Sequence, residues 1–331
     1  MKRLVSGIKP TGEITLGNYI GALKQFVDLQ NTLKDTEFFI FIADLHAITV
    51  PQEKSELRKK IKSIAAIYLA CGLNPEKVNL FIQSEVIEHA YLGYIMESNA
   101  YVGEMERMTQ YKDKKVKQET GIRTSLLTYP ALMAADILMY DANIVPIGED
   151  QTQHLELTRT IANRFNNLYG DTFIVPEGFT PKTGARIKSL TDPSKKMSKT
   201  EDNPKSYVLL LDDLNQIKNK IKSAVTDSDT KVYYDLENKP GISNLLTIYA
   251  SLKDLSIKDT ENLFKDSSYK EFKESVADVV VEVIKPIQEK YKTLINSKEL
   301  DDILTLGAQN ARIIAERKIK KVNQRIGLGR K

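Results

Sequence analysis

Short, almost unbroken apolar runs alternate with helically spaced apolar positions through the first half of the chain. This alternation limits the possible folds more than any other feature. Glu37-Phe38-Phe39-Ile40-Phe41-Ile42 and Leu80-Phe81-Ile82 are too short for core helices and carry no polar alternation. Such runs suit strands buried on both faces of a parallel sheet. Between them Leu57, Ile61, Ile64 and Tyr68 recur at helical spacing and stop at Gly72, a residue able to adopt the positive φ of a helix end. Leu4-Val5-Ser6-Gly7-Ile8 and Asn143-Ile144-Val145-Pro146-Ile147 read as further strands, and Leu157, Ile161, Phe165 and Leu168 as a helix ending at Gly170. Alternation of this kind predicts a doubly wound parallel sheet, with ligands at the carboxyl ends of the strands, where Gly7, His46 and Gly148 fall.

Beyond Asn203-Pro204 the strand patterns fade. Phe272, Val276, Val279, Val280, Val283, Ile287, Tyr291 and Leu294 mark a long helix that Pro286 should kink. Leu300, Leu304, Ala308, Ala311, Ala315 and Val322 mark another. The expected organisation is a Rossmann-like α/β domain over residues 1–203 followed by a helical C-terminal domain over 204–331. Composition supports a cytoplasmic protein: 41% of residues are hydrophobic and 28% charged, and no apolar run approaches the ~20 residues that cross a bilayer. With one cysteine, Cys71, and three histidines, no protein-held metal is expected; any metal should be Mg²⁺ arriving with a nucleotide. Residues 312–331 hold eight basic side chains against Glu316. They fit either a solvated helix face or a track for an RNA phosphate backbone.

Three segments carry chemistry. Thr15-Leu16-Gly17-Asn18 lies between a strand and a helical pattern, and the N–H groups and dipole of a helix start favour phosphate there. A turn of small and polar residues is also an ordinary helix cap. Gly17 permits close approach of a base or phosphate, and Asn18 offers a donor. Lys196-Met197-Ser198-Lys199-Thr200 sets two ammonium groups and two hydroxyls on one loop, which suits a leaving pyrophosphate. Gly148-Glu149-Asp150-Gln151 follows a strand; Asp150 and Gln151 suit ribose hydroxyls, or Asp150 caps the next helix. In Tyr129-Pro130-Ala131-Leu132-Met133-Ala134-Ala135-Asp136-Ile137, Met133 and Asp136 share one helix face. Met133 alone reads as core filler, but a carboxylate among Ala134, Ala135 and Ile137 needs a partner.

Together these segments resemble the two signatures and the ribose segment of class I aminoacyl-tRNA synthetases. The likeness to the bacterial-type tryptophanyl branch runs nearly end to end, through Ser6-Gly7-Ile8-Lys9-Pro10-Thr11-Gly12, Gly103-Glu104-Met105-Glu106-Arg107, Gly184-Ala185-Arg186-Ile187-Lys188 and Lys239-Pro240-Gly241-Ile242-Ser243-Asn244. Thr15 and Thr200 depart from the usual His and Ser of the class; tryptophanyl enzymes share the first departure, and the second keeps the hydroxyl. Lys9 stands where Gln is common. The resemblance implies ligation of tryptophan to tRNA(Trp) through an adenylate made from ATP with Mg²⁺, by a homodimer with an anticodon-binding helical domain and no DNA or membrane partner. It implies catalytic roles for Lys196, Lys199, Asn18 and Lys112. ATP would meet Lys9, Thr11, Thr15, Gly17, Gly148, Asp150, Gln151, Ile187, Met197, Ser198 and Thr200. Tryptophan would meet Val5, Gly7, His46, Tyr129, Met133, Asp136, Ile137, Val145, Ile147 and Gln151, with Asp136 accepting the indole N–H. Tyrosyl enzymes typically carry Gln in place of Met133 and are the nearest alternative; an RNA- or nucleotide-binding relative without catalysis is the other.

Overall fold

The computed structural model describes residues 1–10, 12–115, 121–148, 151–179 and 185–330. β1 (Lys2–Ile8), β2 (Thr36–Ile42), β3 (Val78–Ile82), β4 (Ile144–Pro146) and β5 (Glu177–Phe179) form a five-stranded parallel sheet in the order β3-β2-β1-β4-β5. In register, Leu4 of β1 faces Phe38 on one side and Ile144 on the other. Strand order reverses between β1 and β4, so the crevice at their carboxyl ends is the switch point at which such sheets bind ligands.

Helices join the strands. α1 (Leu16–Asn18) continues through a π-helical turn, Tyr19–Leu23, into α2 (Lys24–Thr32). α3 (Asp44–Ala47) and α4 (Lys54–Ala70) follow β2. α5 (Glu88–Ser98), α6 (Val102–Glu106), α7 (Thr109–Lys115) and α8 (Thr124–Leu138) lie between β3 and β4, and α9 (Thr152–Tyr169) precedes β5. After β5 the described residues form α10 (Leu214–Lys222), α11 (Pro240–Lys253), α12 (Ile257–Phe264), α13 (Tyr269–Leu294) and α14 (Lys298–Ile326). The punctuation is that of the sequence: Gly72 and Gly170 adopt φ of +110° and +87° just past α4 and α9, and a Ser268–Glu271 capping box opens α13. α13 continues as one helix through Pro286, the position at which a kink is expected. Pro286 is on the exposed side, so the Glu282 carbonyl that loses its partner is open to hydration.

Alternate strand residues feed two apolar clusters. Leu4, Ile8, Ile40, Ile42 and Leu80 pack with α4, α10, α11 and α13. Val5, Phe39, Phe41, Phe81 and Val145 pack with α5, α8 and α9. α10, α11 and α13 therefore share a core with one face of the sheet, whereas α14 sends Leu300 and Leu304 to that cluster and Ala308, Ala311, Ala315 and Val322 to the other. The segment joining them is also stitched to the first signature: Leu16 N–H donates to Val208 O at 2.8 Å and Leu210 N–H to Ile14 O at 2.9 Å.

α14 returns to cover the open edge of β3, a protection that exposed sheet edges need. A Cβ on Gly307 would lie 2.0 Å from Leu80 O, so only glycine permits this approach. Asn310 Nδ2 donates to Asn79 Oδ1 at 2.9 Å. Among the basic side chains of residues 312–331, Arg312 and Lys318 are spent on this docking rather than on a solvated face or an RNA track, and Lys321 Nζ also reaches Thr172 O at 3.4 Å. Arg312 donates to Glu85 O, and buried Lys318 pairs with Asp141 and donates to Thr172 O at 3.0 Å. Among the described residues no helix is long and apolar enough to cross a membrane.

Candidate active site

At the switch point a cavity of about 700 Å³ opens between β1, β4, α8 and the 196–200 loop, a size in the range of small-ligand sites. Its two ends differ in chemistry.

The cationic end is built on the turn after β1. Thr15 caps α1: its Oγ1 accepts from Asn18 N–H at 3.1 Å, and Asn18 Oδ1 accepts from Thr15 N–H at 3.2 Å and Thr15 Oγ1–H at 2.8 Å. The Asn18 carbonyl is consumed by the cap, so its Nδ2 is the end left to donate into the cavity it lines. The 196–200 loop is one arm of a hairpin, with Lys188 bridged to Lys196 and Met197 N–H donating to Ile187 O at 3.0 Å. Met197 and Ile187 are core residues that pin the hairpin from below. Lys196, Ser198, Lys199 and Thr200 border the cavity, as do Lys9 and, by one edge, Met197. Ser198 Oγ and Thr200 Oγ1 lie 2.8 Å apart. Gly12, at φ +125°, supports Lys199: a Cβ there would lie 1.6 Å from Lys199 Nζ.

Three expectations change here. Gly17 does not border the cavity; it lies against the hairpin, where a Cβ would make ordinary contact, 3.4 Å from Met197 Cβ and 3.5 Å from Ile187 Cβ. Ile187 is likewise buried behind the wall. Lys112 is exposed on α7, outside the cavity wall. Thr11 and Asp150 lie outside the described residues.

The other end is mostly apolar. Tyr129, Met133, Asp136 and Ile137 project from one stripe of α8, opposite Val5 and Gly7 of β1 and Val145 and Ile147 around β4. Gly7 has no room for a side chain, since a Cβ would lie 2.7 Å from the Phe41 ring. Gly148 and Gln151 border the cavity beside the start of α9. Tyr129 OH donates to Gln110 Oε1 at 3.1 Å and lies 2.7 Å from Nε2 of buried His154. Arg159, two turns along α9 from Gln151, turns away to Pro176 O at 2.8 Å.

Asp136 is the polar centre of this end. His46 Nε2 is 2.7 Å from its Oδ2; Gln83 Nε2 donates to Oδ1 at 2.7 Å, and His89 Nδ1 is 2.6 Å from the same oxygen. His89 Nε2 is 2.6 Å from Tyr140 OH. Burial pushes the Asp136 carboxyl up, but the hydrogen bonds from His46 and His89 outweigh it and hold the group down at about 2. Burial pushes the Tyr140 hydroxyl well up, so it stays a donor. Sequence reading assigned no role here to Gln83, His89 or Tyr140. The available signal was the position of Gln83 directly after β3, at the sheet end where ligands gather.

The sequence matches the family described as tRNA synthetases class I (W and Y) over residues 1–285. The chain belongs to the class I tRNA synthetases of the tryptophan and tyrosine group. A tryptophan–tRNA ligase of Halalkalibacterium halodurans is 57% identical to this synthetase over 330 residues, spanning 100% of this chain and 99% of that one. Among solved structures, a tryptophanyl-tRNA synthetase from Mycoplasma pneumoniae superposes with a TM-score of 0.88 at 36% identity, covering 99% of this chain and 98% of its own. One from Campylobacter jejuni, complexed with ADP and tryptophan, gives a TM-score of 0.84 at 35% identity over 98% of this synthetase and all of that chain.

Proposed function

We propose that this synthetase is a tryptophan–tRNA ligase that activates L-tryptophan with Mg·ATP and transfers it to the 3′ end of tRNA(Trp). The observation that carries the reading is a single cavity with lysines at one end and, at the other, an apolar slot closed by an ionised carboxylate. A flat ring lies between Met133, Val145 and Ile147, its N–H on Asp136. The substrate ammonium sits near Tyr129 and Gln151, and Gly148, Gln151 and Asp150 serve the ribose. The solved C. jejuni relative carries ADP and tryptophan together.

The chemistry follows from placement. A tryptophan carboxylate oxygen attacks the α-phosphorus in line; the anhydride bond forms as the bond to pyrophosphate breaks. Negative charge gathers on the leaving oxygens, where Lys196 and Lys199 neutralise it and Asn18 Nδ2 and the start of α1 supply donors. No nucleophilic side chain is required, because positioning and charge stabilisation do the work. Lys112, exposed on α7, is the third cation proposed for the triphosphate. The 2′-OH of the terminal ribose then takes the aminoacyl group.

Residues 204–331 form the anticodon-binding part, with exposed Arg317, Lys320 and Arg325 on α14 available to RNA phosphate. A second copy covers the apolar face of Ile87, Tyr94, Tyr101 and Val102, which are 72%, 72%, 64% and 65% exposed. The working unit is thus a cytoplasmic homodimer whose macromolecular partner is tRNA, not DNA or membrane. ATP–pyrophosphate exchange, run with each of the twenty amino acids, tests the reading. Exchange with tryptophan alone is expected; exchange with tyrosine alone overturns the pocket assignment, and none with any amino acid overturns the activity.

A further inference from the structure

We propose that Gln83, His89 and Tyr140, none of which borders the cavity, form a buried positioning layer that leaves Asp136 one acceptor site for a ring N–H and so sets the preference for a ring donor. This rests on the tryptophan-activating reading above. A carboxylate has about four acceptor sites. Gln83 and His89 occupy both of those on Oδ1, and His46 occupies one on Oδ2. Gln83 and His89 are fully buried, whereas His46 is at the cavity wall. The free site is therefore on Oδ2, facing the ligand.

Two further contacts make the arrangement one-directional. Gln83 Oε1 accepts from Leu45 N–H at 3.2 Å, which fixes the amide so that its NH₂ points at Asp136. Tyr140 OH has no other acceptor among the described residues, so it donates to His89 Nε2 and leaves the imidazole hydrogen on Nδ1, aimed at Oδ1. Neither neighbour can turn an acceptor toward the carboxylate, so Asp136 stays an acceptor and its orientation is fixed before substrate arrives. A ligand ring without a donor leaves that buried site unpaired, which is the arrangement that discriminates most strongly.

The test compares two double variants. Tyr140→Phe removes the hydroxyl in both, so no orphan group is left. His89→Asn keeps an N–H near the Nδ1 position, while His89→Leu fills the space without one. Each protein is assayed in ATP–pyrophosphate exchange with L-tryptophan and with the analogue carrying sulfur in place of the ring N–H, alongside KM for ATP. Direct titration of the ligand's indole fluorescence is free of protein tryptophan background because the chain contains no tryptophan. The Asn variant should keep the wild-type preference to within about threefold. The Leu variant should raise the tryptophan KM about 10- to 100-fold, leave the analogue and ATP nearly unchanged, and reduce the preference by at least about tenfold. An unchanged preference in the Leu variant, or an equal fall in both, overturns the proposal. Wild-type exchange with tryptophan but no preference over the analogue removes the acceptor role of Asp136, and the proposal with it. No wild-type exchange with any amino acid overturns instead the activity on which it rests.

Discussion

Replacing Gly12 with alanine should slow adenylate formation through Lys199, with little change in the affinity for tryptophan. The added Cβ would lie 1.6 Å from Lys199 Nζ. Ordinary contact needs about 3.5 Å, so the ammonium must retreat by about 2 Å. Moving a cation from about 3 to about 5 Å from a phosphate oxygen, at an effective dielectric of about 20, weakens the attraction by about 2 kcal/mol, or about 30-fold in rate. A second, separable cost arises because φ at Gly12 is +125°, which strains an alanine by about 1–3 kcal/mol and should lower the urea midpoint. A double-mutant cycle with Lys199→Ala distinguishes the two effects. If the methyl acts by displacing the ammonium, Gly12→Ala costs little further rate once Lys199 is gone. An equal loss of kcat in the Lys199→Ala background would refute the reasoning, because backbone strain alone would then account for it.

Asp136→Asn should orient its carbonyl to Gln83 and His89 and turn its NH₂ toward the ligand, so tryptophan binding weakens about 10- to 100-fold while ATP affinity holds; titration of ligand fluorescence reads this directly. The same carboxylate gives stability a pH dependence. Its native pKa, about 2, is below the ordinary 3.8, so its contribution of roughly 2 kcal/mol is complete above about pH 4 and is lost as pH falls toward 2. Urea midpoints between pH 2 and 5 should fall more steeply in wild type than in Asp136→Asn. Gly307→Ala forces a methyl to within 2.0 Å of Leu80 O, a backbone atom unable to yield, and should destabilise by about 1–3 kcal/mol or more in urea denaturation.

Much of the fold was legible because local pattern and tertiary environment coincide. A continuous apolar run such as 38–42 has nowhere to go except between two layers, and β2 is there, with Phe38 to Ile42 buried. The lysine hairpin and the α8 stripe were legible as well, since loop chemistry and helical spacing are local properties. Pro286 left the course of α13 open, because the cost of its missing N–H depends on whether water reaches the orphaned carbonyl, which sequence does not encode. Gly17 is a different case: a glycine in a turn suggests close approach, yet a Cβ there would have ordinary room.

The sequence by itself determined the alternating sheet, the caps and turns, and which residue types line each end of the cavity. Periodicity and backbone preference act over a few residues. Only the tertiary structure decided that Lys199 rests on Gly12, that α14 covers β3, and that Asp136 is held by Gln83 and His89, 53 and 47 positions away. Those pairings arise where separate elements pack, and a buried carboxylate acquires its charge and direction only from the neighbours that packing brings to it.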